Sequence, residues 1–265
     1  MRIHRRSLLA GAADAHGIVV VIDVLRAFSC SAVMFHYGIR DLALVRTPEE
    51  ALGFRDRDPD YLVAGEVKGL KVEGFDIGNS PADIVSKGES FFRGRRVAAR
   101  SSAGTQGVLA AAAHAEQVIL GSYMTAAATA AYIRDHAQVD ALVRAHETAV
   151  TIVAMGFEGV RPSVEDERCG DYLEHLLRGG GEGEGGGGGG GGSEDPPLHG
   201  TYDHLQAIWE CMNDPEIAAS LRGEHHYRPK EDIVLALQRD LFDFAMIGRP
   251  EDGHVRVRRQ DVRSR

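Results

Sequence analysis

Apolar positions in the first two thirds of the chain fall into short runs separated by segments of helical spacing. Ile18–Val24 (IVVVIDV) is an almost unbroken β-branched run, the pattern of a strand buried on both faces. Asp41–Arg46, Tyr61–Ala64, Arg96–Arg100, Gln117–Gly121 and Val150–Met155 repeat the pattern more briefly. Between them, Ser29–Tyr37 reads as a helix closed by Gly38. Thr47 predicts an N-cap, with Pro48 at the first helical position and Glu50 completing a capping box. Pro81–Lys87, Gly104–His114 and Thr125–His136 are further helices, the last two rich in alanine. Strands alternating with helices predict an α/β fold of three layers, α/β/α, around a mostly parallel central sheet.

After the helix predicted over Ser163–Arg178 the pattern stops. Gly179–Gly192 holds only glycine and two glutamates, Glu182 and Glu184, which cannot bury apolar surface. The chain is therefore expected to divide into a main α/β domain (1–178), a disordered glycine-rich loop or linker (179–195) and a C-terminal segment (196–265). That segment is expected to carry helices over Tyr202–Met212 and Glu231–Phe242. It should pack back on the main domain, because Trp209, Leu241, Phe242 and Phe244 need a core. At the other end, Arg5-Arg6 before Ser7-Leu8-Leu9-Ala10 superficially resembles a twin-arginine export signal. The apolar stretch ends at Asp14, too soon for a signal, so this segment is read as a first strand or helix.

Composition narrows the function. A formal net charge of −9 argues against nucleic acid or an anionic membrane as partner, and no apolar run is long enough to span a bilayer. Three widely spaced cysteines suit a reducing compartment, and a cytoplasmic location is expected. A homo-oligomer is left open.

Ligands in parallel sheets bind beyond the carboxyl ends of the strands, which directs attention to a few loops. Asp23 ends the first strong strand and Arg26 follows; Asp23 is either a site carboxylate or a helix-capping turn residue. The stretch Gly65–Pro81 bends at Gly65, Gly69, Gly74 and Gly78 and interleaves Glu66, Asp76 and Asn79, oxygen ligands suited to magnesium. Asn79 or Ser80 also caps the helix begun by Pro81. Arg100-Ser101-Ser102-Ala103-Gly104-Thr105 places hydroxyls and free amides at a helix start, suited to phosphate or sulfonate, although an ordinary N-cap looks the same. Glu165 and Asp166 sit in the first turn of another helix. The motifs of cysteine phosphatases, histidine phosphatases and HExxH metalloenzymes are all missing.

In order, VVVIDVLRA, GE followed by GFDIGNSP, a small-hydroxyl loop ending Gly-Thr, Gly-Ser before an alanine-rich helix, and an acidic pair before Cys169 are similar to the 2-phosphosulfolactate phosphatase family. The resemblance covers roughly Ile18 to Arg178. It implies magnesium-dependent hydrolysis of a small sulfonated phosphate ester, a step in coenzyme M synthesis. Asp23, Arg26, Glu66 and Asp166 are then the expected catalytic residues, with Asp23, Glu66 and Asp166 holding Mg2+. Asp76, Asn79, Ser80, Arg100, Ser101, Ser102, Gly104 and Thr105 are expected to bind the anionic phosphorylated substrate. Two departures stand out: Ala103 replaces the family's asparagine, and Val153-Ala154-Met155-Gly156-Phe157 replaces a Cys-Ala-Gly followed by Gly-x-Phe. Hydrolysis of a different phosphorylated acid and non-catalytic binding of anionic metabolites are the alternatives.

Overall fold

A computed structural model describes residues 1–144, 147–180 and 202–262. The chain opens with β1 (Arg2–Ser7), α1 (Leu8–Ala13), β2 (Gly17–Ile22), α2 (Ala27–His36), β3 (Leu42–Leu44) and α3 (Pro48–Arg57). Next come β4 (Tyr61–Val67), β5 (Leu70–Lys71), α4 (Pro81–Lys87), α5 (Glu89–Phe92), β6 (Arg96–Arg100), α6 (Gly104–Ala111) and β7 (Ala115–Gly121). A 3-10 turn at Tyr123–Thr125 leads into α7 (Ala126–Arg144), β8 (Ala149–Ala154) and α8 (Val164–Leu177). The last elements are α9 (His204–Asn213), α10 (Pro215–Leu221), α11 (Lys230–Ala236), β9 (Phe244–Glu251) and β10 (His254–Asp261). Gly179 and Gly180 follow α8, while the rest of the glycine tract lies outside the described residues.

Ten strands form one sheet, in the order β1-β8-β2-β7-β9-β10-β3-β6-β4-β5. Strands β1, β8, β2 and β7 are mutually parallel, as are β3, β6 and β4. The hairpin β9–β10 joins these blocks by antiparallel pairing on both sides. The mostly parallel α/β architecture read from the sequence is thus present, with an antiparallel seam. The seam sets the second block against the first in direction. From β2 to β6 there are five inter-strand steps, and a twist of about 20–25° at each turns the second block by roughly 100° or more. Twist and curl therefore let the carboxyl ends of β2, β4 and β6 meet, although a flat sheet would keep them at opposite edges.

All of β2 is buried, and its side chains alternate between faces. Val19 and Val21 join Leu42, Leu44, Val97 and Met246 in a core shared with α2 and α6. Val20 and Ile22 point the other way, into a core with Ile119, Ile152, Tyr172 and Leu173. On the second block, Ala43, Val63 and Ala98 pack with Ala51, Leu52 and Phe54 of α3. Each fully buried valine or isoleucine contributes about 1.5–3 kcal/mol. The Thr47 capping box forms as expected, Thr47 accepting from the Glu50 amide at 3.2 Å.

The C-terminal helices differ from expectation. The helix expected over Glu231–Phe242 ends at Ala236, and β9 begins at Phe244. Asp240 sits at φ 51° and draws the chain aside, accepting from the Ala127 amide at 2.8 Å and from the Tyr172 hydroxyl. Phe244 enters the core, whereas Trp209 and Leu241 remain 62% and 49% exposed. The reason is the phase of α9, which buries Ala207 and Cys211 and turns Trp209 outward. No helix among the described residues is long and apolar enough to cross a membrane.

Candidate active site

Three strand-end loops converge on Asp23, which follows β2 and is 6% exposed. Its Oδ1 accepts from the Ala27 amide at 3.0 Å, and its Oδ2 from the Gly104 amide at 2.8 Å. One carboxylate thus ties the starts of α2 and α6 together. Gly104 has to be glycine, because a Cβ there would lie 2.6 Å from Asp23 Oδ2 and 2.9 Å from the Phe28 ring. Glu66, on β4, plays the same part for the next loops. It accepts from the Ser102 amide at 2.5 Å, the Ser102 hydroxyl at 3.1 Å and the Gly69 amide at 2.6 Å.

Asp23 and Glu66 line a cleft of about 60 Å3 with Arg26, Lys68, Asn79, Ser102, Phe157, Tyr227 and Arg228. Arg26 is held rigidly. Its Nη1 donates to Asp232 at 2.9 Å and to the Tyr227 carbonyl at 2.6 Å, and its Nη2 to the Gly69 carbonyl at 3.2 Å. Asp232, at 0% exposure, also accepts from the Ser80 hydroxyl at 2.6 Å and the Ala82 amide at 3.0 Å. Ser80 therefore anchors the GFDIGNSP segment to α11, besides capping α4 through the Asp83 amide at 3.2 Å.

Tyr227, Arg228 and Asp232 were not foreseen from the sequence. They come from a stretch without a motif and reach the site only through tertiary packing. Gly69 gives the clearest sign of the match: a Cβ there would lie 2.9 Å from the Tyr227 ring, so the loop needs glycine to pass.

Of the residues expected at the site, Asp23, Arg26, Glu66, Asn79 and Ser102 line one cleft. The others lie around it. Asp166 accepts from the Val24 amide at 2.7 Å and the Gly156 amide at 2.8 Å, bracing the loops after β2 and β8 from behind. Asp76 accepts from the Val63 amide at 2.8 Å and pairs with Arg55 at 3.3 Å, fastening the glycine-bent loop to β4. Arg100 donates to the Glu66 carbonyl at 2.8 Å and the Ser102 hydroxyl at 3.0 Å. Ser101 and Thr105 satisfy each other, hydroxyl to hydroxyl at 3.0 Å and through both amides. Gly104 contributes its amide to Asp23. The hydroxyl loop thus uses much of its polar capacity internally.

Burial pushes Asp23 up to about 6, aided by Glu66 and opposed by the two amides and Arg26. Burial also pushes Glu165 up to about 7, against the pull of Arg228. Asp166 is driven well above the carboxylate range by burial and by Glu165 and Asp23. Folding therefore favours protonation of these acids. Their stabilisation is fully present below the unfolded values of 3.8 and 4.5 and is lost as pH rises through about 6 and 7. Asp23 alone is worth on the order of 3 kcal/mol. The melting temperature is expected to fall by about 5–10 °C between pH 5 and pH 8, with Glu165→Gln flattening the upper part of the fall. A melting temperature that rises over this range would contradict the burial argument.

No three His, Cys, Asp or Glu groups among the described residues are placed to enclose a metal ion by themselves. The donor chemistry still fits magnesium, which commonly takes one or two carboxylates together with waters and substrate oxygens. Asp23 and Glu66 line the same cleft, and a carboxylate has about four lone-pair sites, more than their hydrogen bonds use. Two larger hollows lie elsewhere, about 870 Å3 beside α7 and β9 and about 510 Å3 between α8 and α9. Neither gathers groups from the carboxyl ends of the parallel strands, so the smaller cleft is the candidate site.

The family described as 2-phosphosulpholactate phosphatase matches residues 3–249. A relative from Bacillus subtilis is 31% identical over 220 residues, 81% of this chain and 88% of the relative. One from Deinococcus radiodurans is 36% identical over 170 residues, 63% of this chain and 65% of the relative. One from Thermus thermophilus is 34% identical over 165 residues, 62% of this chain and 63% of the relative. The chain thus spans just under two thirds of the Deinococcus and Thermus relatives and most of the Bacillus one. All three carry the name probable 2-phosphosulfolactate phosphatase. With its match running through both parallel blocks and into the seam between them, the chain belongs to the 2-phosphosulpholactate phosphatase family.

Proposed function

We propose that the chain is a phosphoric monoester hydrolase that uses magnesium to hydrolyse a small phosphorylated acid. The relatives' name points to 2-phosphosulfolactate, which would give sulfolactate and phosphate. One observation carries this reading. Asp23 is fixed by two amides at a strand end, beside Glu66 and facing arginines, in a cleft that admits only a small molecule.

Magnesium held by Asp23 and Glu66 would supply Lewis-acid polarisation of the phosphoryl group. The chain's own residues do the rest. Arg26, immobilised by Asp232 and two carbonyls, presents fixed positive charge to the anion. Helix α6 begins at Gly104 and directs the positive end of its dipole toward the same cleft. Asp23, fixed by the Ala27 and Gly104 amides, accepts a hydrogen bond from the attacking water and orients it. The water oxygen bonds to phosphorus and gives a proton to solvent, the ester P–O bond breaks, and the departing alkoxide takes a proton from solvent. Asp166 works at a distance, keeping Val24 and Gly156 in place.

Purified protein is expected to release phosphate from 2-phosphosulfolactate with magnesium and not with excess chelator. Magnesium alone should raise the melting temperature more at pH 8 than at pH 5, because the cation competes with the proton on Asp23. Esters that stabilise the protein without releasing phosphate would make it an anion-binding protein instead. A melting temperature indifferent to magnesium at both pH values would remove the cation from the proposal.

A further inference from the structure

Arg228 is only 8% exposed, yet its side chain donates no hydrogen bond among the described residues, and its Nε is buried without a partner. Arg26 makes the contrast plain, since three of its guanidinium bonds go to Asp232 and two carbonyls. A buried guanidinium with open donors is costly, and such a group in a functional cleft awaits an anion. Glu165 is close enough for Arg228 to lower its pKa, but no hydrogen bond joins them.

The position of Arg228 says which part of a ligand it meets. At one end the cleft shares Asn79 with a small hollow that reaches Ser101 and Thr105, close to the start of α6. At the other end it shares Leu25, Gly156, Phe157 and Arg228 with a crevice beside Glu165. The α6 end has the helix dipole and Ser102 for a phosphate. Among the described residues the far end offers one unsatisfied arginine fork, beside Glu165, Asp214 and the Arg161–Glu216 pair, and its geometry suits a carboxylate or sulfonate.

We propose that Arg228 is the specificity-determining residue that grips the substrate's own acid group, carboxylate or sulfonate, at the end of the cleft away from the phosphate. This rests on the phosphatase reading for the reacting group only; anion recognition by Arg228 stands apart from turnover.

The test compares wild type with Arg228→Gln and Arg228→Lys on three esters. These are 2-phosphosulfolactate, 2-phospholactate (carboxylate only) and a phosphate ester of a neutral alcohol. For an acid-bearing ester, Arg228→Gln is expected to raise KM about 100-fold with little change in kcat. Arg228→Lys should recover part of the loss, because it keeps the charge without the fork. The neutral ester should be indifferent to both changes. A loss on 2-phospholactate assigns the carboxylate; a loss confined to 2-phosphosulfolactate assigns the sulfonate. Equal losses on all three esters, or a fall in kcat alone, would overturn the assignment.

Calorimetric titration with sulfolactate separates this from the phosphatase reading. Weaker binding by Arg228→Gln than by wild type upholds the role of Arg228 even if no ester is hydrolysed. Equal affinity, or no binding to wild type, overturns it even if phosphate is released. Should the glutamine variant fail to fold, the lysine variant carries the same comparison, with about a 10-fold loss expected.

Discussion

Asp23→Asn is expected to lower phosphate release by about three orders of magnitude while the protein stays folded. The carboxylate accepts from two backbone amides at once, at 3.0 and 2.8 Å. An asparagine offers one carbonyl, so its NH2 must face one of those N–H groups, and either the start of α2 or the start of α6 loses its partner. Leaving one such buried donor unsatisfied costs about 1–3 kcal/mol. Removing a buried charge whose pKa stands near 6 returns a similar amount at pH 8. The two nearly cancel in stability and add in activity, because the variant also loses the negative charge proposed for the water and the cation. Full activity in this variant would sink the role given to Asp23. A melting temperature near wild type would show that the loss is chemical and not a failure to fold.

Asp232→Ala is expected to be the most destabilising change at the site, costing about 3–5 kcal/mol by leaving the Arg26 guanidinium buried without its counter-ion. It also strands the Ser80 hydroxyl and the Ala82 amide, both of which donate to Asp232. Asp232→Asn keeps one carbonyl for those donors and removes the charge. It should fold, with Arg26 free to move and kcat lowered about 100-fold. Urea denaturation of the alanine variant and kcat of the asparagine variant measure the two effects. A destabilisation under about 1 kcal/mol would mean that Arg26 finds other partners and that Asp232 positions nothing.

Much of this was legible from residue pattern. The run IVVVIDV could only be a buried strand, and it places Asp23 at the site. The glycine-bent loop and the serine loop were visible because glycine and small hydroxyls announce close backbone approach. Their detailed use was less so: Ser101 and Thr105 spend their hydroxyls on each other, which composition cannot reveal. The seam hairpin was hidden for a different reason. Its second strand is full of arginine and looks like a solvated tail, yet Arg256 is buried and donates to Asp41 and the Tyr61 hydroxyl, each at 2.7 Å. The signal was there in Asp252-Gly253, a dipeptide favoured in tight hairpin turns. Tyr227, Arg228 and Asp232 carry no local signal, because their relation to Asp23 exists only once distant segments are packed.

The position of that hairpin has a consequence for how the molecule is made. Of the two parallel blocks only β7 on one side and β3 on the other touch the seam, and the blocks do not pair with each other within the sheet. A growing chain emerging from the ribosome has every parallel strand before it has the two that unite them. The halves of the sheet must wait, with the flanks of β7 and β3 unpaired, until residues 244–261 emerge. Such late, long-range closure makes folding slow and leaves open edges exposed to other chains meanwhile. Synthesis of this protein thus passes through a stage in which the chain is present through residue 243 and its central sheet is still in two pieces.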